Sequence, residues 1–362
     1  MRSFRPRPLD GVRVVEFSHV IAGPFAGLQL RQLGAEVTKV EPPVRGDYLG
    51  SLPNGKHAYD ALNAAKSVIE IDLRSDAGRE RGRDLALEAD VLLDSYRPGA
   101  LKRHGLGYEE LSAANPRLVY CSISGYGSEH ALWGARGAYD HVVQALTGIA
   151  MQTGSEGDPP IKVGFPLIDS ATGMLAVNAI LAALLERARN GRGQYIEVSM
   201  WRAALQLMYP MACETLTTGA ESPRVGNQGY TGSPGASFFR CREGWLALGA
   251  NTAEQMTELA RALEIVGPVP DPVDPVDPAS AAAAAAFRGR IARCLVERDA
   301  NAWEQLMHLH GVPAARVRTL GEFLEFAGAE QLLQAEAVGV HAVLSPGMGW
   351  RSFGPSANTA ED

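Results

Sequence analysis

The chain has 362 residues, of which 46% are hydrophobic, and a formal charge of −7 at pH 7. That length exceeds one ordinary core and predicts a soluble globular protein of two domains. With no lysine-rich tract or basic stripe to offset the acidic balance, non-specific nucleic-acid binding is excluded, and an anionic ligand must be met by a local cluster of cations. Cys121, Cys213, Cys241 and Cys294 form no CxxC pair, which indicates neither a zinc site nor a disulfide framework and fits a cytoplasmic setting. The basic residues of the N-terminus have no apolar stretch behind them and do not read as a secretory signal.

Gly11 to Phe17 is apolar and β-branched and predicts a strand. Ser18-His19-Val20-Ile21-Ala22-Gly23-Pro24 follows, then a helix from Phe25 to Leu33 and a strand from Glu36 to Glu41. This opening predicts an open α/β sheet, whose ligands gather at the carboxyl ends of its strands. The loop lacks GxGxxG, so the dinucleotide fingerprint is absent. Pro42 to Asn54 reads as a surface loop. Strands at Lys66 to Arg74, Asp90 to Tyr96 and Leu118 to Ser124, with a helix from Ala77 to Ala89 capped by Ser75-Asp76, continue the alternation of a mostly parallel sheet.

A short helix is predicted from Tyr139 to Gly148 and a small-residue apolar helix from Ala171 to Leu185. The run Met174 to Leu185 is shorter than the roughly 20 residues a bilayer requires, so the helix is expected to be buried and no membrane partner is expected. Tyr195 to Met200 reads as a strand leading into a helix from Trp201. Between Thr217 and Ser237 the composition shifts towards Gly, Ser, Thr and Pro, which marks a domain boundary. The expected division is a large domain over 1–216 followed by a small domain over 217–318. Within the small domain a strand is predicted at Trp245 to Ala250 and helices at Thr252 to Leu263 and Ala302 to His310. The tract PVPDPVDPVDP, Pro268 to Pro278, reads as an extended linker because proline has no N–H to donate, and the residues from Ser345 read as weakly structured.

One carboxylate, Asp169, interrupts the apolar passage Val163 to Met174 and sits at or just before a helix start. Its position allows two roles. It can cap the helix by accepting from free N–H groups, or, held ionised by those groups and the helix dipole, it can attack an acyl carbon. HExxH, P-loop, GxSxG and paired-cysteine motifs are absent. Only His308 and His310 are near ligand spacing, and they lie on different helix faces, so no metal is expected. Arg74, Arg97, Arg103 and His104 follow strands where a doubly wound sheet gathers anions; each alone reads as a surface cation, but together they suit a phosphorylated ligand. Tyr96 and Tyr139 offer aromatic faces for a base, or simply packing.

Six ordered segments resemble the family III CoA-transferases, the formyl-CoA and carnitine CoA-transferase group that also includes α-methylacyl-CoA racemases. They are Leu9 to Pro43, SYRPGALKRHGLGYEEL from Ser95, NPRLVYCSISGYG from Asn115, YDHVVQALTG from Tyr139, the Asp169 stretch, and GRGQYIEVSM from Gly191; GVPAARV from Gly311 extends the likeness weakly. The resemblance implies a Rossmann-like large domain, a smaller α+β domain, a return of the chain to the large domain over 319–362, and an interlocked homodimer. It implies that CoA moves from an acyl-CoA to a small free carboxylic acid through a mixed anhydride and a thioester on Asp169, with Tyr139 near the thioester. His19, Val20, Ile71, Arg74, Ser95, Tyr96, Arg97, Ala100, Arg103 and His104 are implied to line the CoA groove.

The sequence departs from the family pattern at Ser95, where asparagine is usual, and at the shielding glycine-rich loop, whose nearest counterpart is GNQGYTGSPG from Gly226. The usual closing Gly-Glu-His-Thr segment is also lacking. Racemases of the family carry a histidine directly before the aspartate of a Gly-His-Asp sequence, because epimerisation needs bases on two faces. Here that position is Tyr139, and His141, two residues on, is expected about 200° around the helix. Transferase is therefore the expected activity, with a racemase or a non-catalytic acyl-CoA-binding protein as the alternatives.

Overall fold

The computed structural model describes residues 2–4, 7–270, 278–338, 341–350 and 352–354. Most of the expected linker and the last residues of the chain lie outside these. Strand β1 (Arg2–Phe4) precedes β2 (Arg13–Phe17), α1 (Ala22–Gln32) and β3 (Glu36–Glu41). Then come α2 (Lys56–Leu62), β4 (Ser67–Glu70), α3 (Asp76–Glu88), β5 (Val91–Asp94), α4 (Tyr108–Ala114) and β6 (Val119–Ser124). The chain continues through α5 (Asp140–Leu146), α6 (Ile149–Gln152), α7 (Leu167–Asn190), β7 (Tyr195–Ser199), α8 (Met200–Leu207) and α9 (Tyr209–Thr218).

Six strands form one parallel sheet in the order β4-β3-β2-β5-β6-β7. Strands β5 and β6 are buried at every position, which is why VLLD and VYCSIS show no polar alternation. Ala26 and Leu30 of α1 pack with Ala176 and Ile180 of α7 on one face; Ala86 of α3 and Leu111 of α4 join Phe17 and Leu92 on the other. The expected Rossmann-like, doubly wound layer is therefore present. From β2 the chain builds outward to β3 and β4, and then returns to β5 on the other side. The order reverses between β2 and β5, and there the carboxyl ends of strands leave a crevice.

Helix α7 outruns the expected Ala171 to Leu185 at both ends and, at 24 residues, is long and apolar enough to cross a membrane by length and composition alone. Its Thr172, Ala176, Val177, Ile180 and Ala183 are instead buried in the core. Gly173 permits the close crossing of α1, since a Cβ there would lie 2.8 Å from the Ala22 carbonyl oxygen. The helix runs on past Glu186-Arg187 because the Arg187 guanidinium meets Asp90 at 3.1 Å and donates to the Arg117 carbonyl at 3.0 Å.

Two compact units result: Met1–Ala150, Lys162–Glu221 and Gln331–Asp362 form the first, and Met151–Ile161 with Ser222–Glu330 the second. The second contains β8 (Gly235–Arg240), β9 (Trp245–Ala250), α10 (Ala253–Ala262), α11 (Pro278–Leu295), α12 (Ala300–Leu309), β10 (Ala314–Arg316) and α13 (Leu320–Ala329). Its sheet is antiparallel in the order β10-β9-β8, and Leu246, Met256, Phe287, Ile291 and Trp303 fill its core. Thr252 caps α10 as expected, within a capping box closed by Gln255. The unit claims 151–161 because Ser155 bridges Val225 and Arg224 donates to the Pro159 carbonyl. It also keeps α13, expected from the sequence in the returning segment, because Arg316 pairs with Glu322 at 2.9 Å. The return comprises the hairpin β11 (Gln334–Val338) and β12 (His341–Ser345), and β13 (Ser352–Gly354), which pairs with β1.

Candidate active site

The crevice at the strand-order reversal is built by two turns, Ser18 to Ile21 after β2 and Ser95 to Arg97 after β5. They are tied together. The Ser95 N–H donates to the Phe17 carbonyl at 3.0 Å, the His19 N–H to Ser95 Oγ at 3.2 Å, and the His19 and Tyr96 rings lie 5.4 Å apart. A cleft of about 750 Å³ opens on one side, lined by Ile71, Arg74, His104, Asp47 and Tyr48. A smaller one of about 180 Å³ opens on the other, lined by Val20, Ser95, Arg97, Arg136, Tyr139 and Asp169. His19 and Tyr96 border both, so the two form one groove from the end of β4 to the start of α7. Its size suits a ligand larger than a simple metabolite.

Most of the residues singled out in the sequence meet in this groove. Arg103 lines neither cleft; it stands at a hollow with Arg79, Glu80 and Arg83 that adjoins the larger cleft at His104. Ala100 lines neither cleft; its N–H donates to the Arg97 carbonyl at 2.9 Å and closes the turn that carries Arg97. The exposed Arg74 guanidinium grips Asp72 at 2.8 and 3.1 Å, which lowers the Asp72 pKa. Burial lowers the His19 imidazole more than the nearby Asp47 charge raises it.

Asp169 lies in the first turn of α7 but does not cap it. The cap comes from Asp140, whose Oδ2 accepts from the Ile168 N–H at 2.7 Å and the Asp169 N–H at 3.1 Å. Gln144 donates to the other oxygen of Asp140 and accepts from the Val163 N–H at 2.8 Å, which fixes the capping carboxylate. The Asp169 carboxylate itself accepts no hydrogen bond among the described residues. Burial, and then the negative charge of Asp140, push its pKa up to about 7. A half-buried carboxylate with no partner, facing a cleft, keeps its lone pairs free for a ligand.

Tyr139 is the extended residue before α5, and its ring stacks on His141 at 6.3 Å and 9°. The expected 200° separation does not apply, because Tyr139 precedes the helix and is not part of it. His141 nevertheless lines neither cleft. Among the described residues no cluster of three or more metal-ligating side chains occurs.

The CoA-transferase family III model matches residues 9–341. The chain belongs to CoA-transferase family III. It is 33% identical to the succinyl-CoA–D-citramalate CoA-transferase of Chloroflexus aurantiacus, over 93% of this chain and 84% of that one. It is 32% identical to the acetyl-CoA:oxalate CoA-transferase of Acetobacter aceti, over 91% of this chain and 84% of that one. A solved CaiB/BaiF family protein from Brucella suis superposes with a TM-score of 0.81 at 28% identity, covering 94% of this chain and 95% of that one.

Beneath the groove this family III member carries two buried ion pairs that sequence reasoning does not find. Lys39 Nζ meets Asp47 at 2.7 Å, and Lys66 Nζ meets Glu16 at 2.8 Å, all four side chains fully buried. Lys39 also lies 3.5 Å from Glu41, which accepts from the Tyr59 hydroxyl at 2.9 Å. A signal is present: Lys39 and Glu41 stand two apart on a strand, share one face, and in a central strand can exist only with partners. Arg136 escapes notice for lack of any periodic context, and Asp140 because a first-turn acid usually serves its own helix.

Proposed function

We propose that the protein moves CoA from an acyl-CoA thioester to a small carboxylic acid, with Asp169 as the covalent carrier. The observation that carries this reading is the partnerless carboxylate at the end of a groove long enough for an extended, phosphorylated thioester. The Asp169 carboxylate attacks the thioester carbonyl and expels CoA thiolate, leaving an acyl-aspartyl anhydride. The thiolate then attacks the aspartyl carbonyl, which releases the donor acid and leaves an aspartyl-CoA thioester. The acceptor carboxylate attacks that thioester and expels thiolate again, and the thiolate takes the acceptor's acyl group, freeing Asp169.

CoA occupies the groove with its phosphates towards Arg74, Arg103 and His104 and its thiol towards Asp169, and Tyr139 stands near the thioester. Arg97 and Arg136 bring positive charge to the small cleft, as an acid acceptor requires. Water must be kept from both intermediates, and a second copy of the chain is the natural lid. Met174, Leu185, Leu205, Leu207, Tyr209 and Leu216 are large apolar side chains exposed on the first unit, which supports a homodimer. His141 lines neither cleft and so supplies no second base there, which favours transfer over racemisation.

The test is an exchange assay with labelled free acids against a panel of acyl-CoA donors. Wild type exchanges CoA and Asp169→Ala does not. Deuterium entering the α-carbon of a 2-methylacyl-CoA without any acceptor acid would replace this reading with the racemase, and tight CoA binding indifferent to Asp169→Asn, without turnover, would replace it with a binding protein.

A further inference from the structure

The turn between β2 and α1 contains a backbone conformation its sequence does not favour. Val20 has φ of +67°, in the left-handed region that a β-branched residue avoids. Something must hold it there. The Val20 N–H donates to both oxygens of Asp47, at 3.0 and 3.3 Å. The same carboxylate accepts from the Leu49 N–H at 2.9 Å and is paired with Lys39 at 2.7 Å. The Asp47 N–H in turn donates to Glu41 at 3.2 Å. Asp47 is therefore oriented from three directions before it reaches Val20, and no water competes for it because its side chain is fully buried.

On the opposite side, Ser18 donates to Glu16, the buried partner of Lys66. The turn is thus held at both ends by carboxylates whose charges are already neutralised. Only the Asp47 end is under conformational strain.

We propose that Asp47 is a positioning residue for the CoA groove: its carboxylate holds Val20 in the left-handed conformation and thereby presets the turn that walls the Asp169 cleft. Asp47 also fixes the turn after it through Leu49, and Tyr48 in that turn lines the larger cleft. One buried carboxylate therefore sets the spacing of two walls of the groove. Because the strain at Val20 is met within the folded chain, the ligand does not have to supply it on binding. This inference rests on the reading of the groove as a CoA site, and deepens it.

The experiment measures the Kd of CoA by calorimetry, together with Tm, for wild type, Asp47→Asn and Asp47→Ala, each also combined with Val20→Gly. Asparagine keeps an acceptor oxygen for the Val20 N–H but offers Lys39 no charge, whereas alanine offers neither. Both substitutions lower Tm, because both leave Lys39 without Asp47's charge, and Asp47→Ala lowers it further, because it also leaves the Val20 and Leu49 N–H groups without an acceptor. Affinity separates them: Asp47→Asn stays within about threefold of wild type, and Asp47→Ala weakens CoA binding at least tenfold, about 1.4 kcal/mol. Glycine adopts positive φ without strain, so with Val20→Gly the alanine penalty shrinks to about threefold or less.

Equal affinities for the two Asp47 variants, or an alanine penalty unchanged by Val20→Gly, would overturn the role given to Asp47. If Asp47→Ala does not fold, Lys39→Met/Asp47→Asn compared with Lys39→Met/Asp47→Ala asks the same question with no ammonium left unpaired, and the same two outcomes decide it. Wild-type protein that binds no CoA would instead remove the groove reading itself.

Discussion

Two aspartates close to the same groove are treated in opposite ways. Asp47 is fully buried and saturated with donors, from Lys39, Val20 and Leu49. Asp169 is only half buried yet accepts no hydrogen bond among the described residues, and the cap it is placed to form is made by Asp140. Satisfied partners stabilise a carboxylate in place and blunt it as a nucleophile; withheld partners leave it basic and available. The fold thus commits its polar partners to the walls of the groove and withholds them from the carboxylate proposed to react.

The sharpest way to break this contrast is to substitute each side. Asp169→Asn should cost about four orders of magnitude or more in turnover, as loss of a covalent nucleophile does elsewhere. Its stability should move the other way. The folded-state pKa is raised from 3.8 to about 7, so Asp169 contributes stability that is complete below pH 4 and lost as pH rises through about 7. Thermal unfolding at pH 8 should therefore find Asp169→Asn at least as stable as wild type. Lys66→Ala is the converse case: it leaves Glu16 buried without its charge partner, and urea unfolding should show a loss of about 3–5 kcal/mol. The joint change Glu16→Gln/Lys66→Met should recover most of that loss.

Smaller effects sharpen the comparison. If Asp169 is the carrier, only its ionised form attacks, so kcat/KM should rise with pH and level off above about 7. Asp140→Asn removes the neighbouring negative charge but keeps an acceptor for the α7 N–H groups. It should lower that midpoint by about half a unit to one unit, and an unchanged midpoint would remove Asp140 from the tuning of Asp169. Arg136→Leu should have the smallest effect, raising the acceptor's KM roughly fivefold, about 1 kcal/mol, with the acyl-CoA KM unchanged. An equal rise in both would assign Arg136 to the CoA phosphates.

Much of this is legible in the chain because parallel-sheet strands are short apolar runs and their turns carry the polar residues. The strand from Glu36 to Glu41 and that from Trp245 to Ala250 have the expected limits, and Ser75 caps α3 as expected. The strand β8 is hidden because Gly235 opens it inside a Gly-, Ser- and Pro-rich stretch that reads as a boundary. Helix α2, KHAYDAL, is hidden because seven residues show too little of the 3.6 period. At the site, local spacing leaves Asp169 open to capping or catalysis, and the capping role goes to a residue 29 positions earlier, Asp140. The buried pairs Glu16–Lys66 and Lys39–Asp47 likewise join separate segments, which spacing along the chain cannot reveal.

The role of Asp169 as covalent carrier is tested most directly by mass spectrometry of wild-type protein mixed with an accepted acyl-CoA donor, acid-quenched within a turnover and digested. A CoA adduct is expected on the peptide bearing Asp169, and none in Asp169→Asn. Turnover with no adduct on that peptide, or an adduct on another residue, would contradict that role.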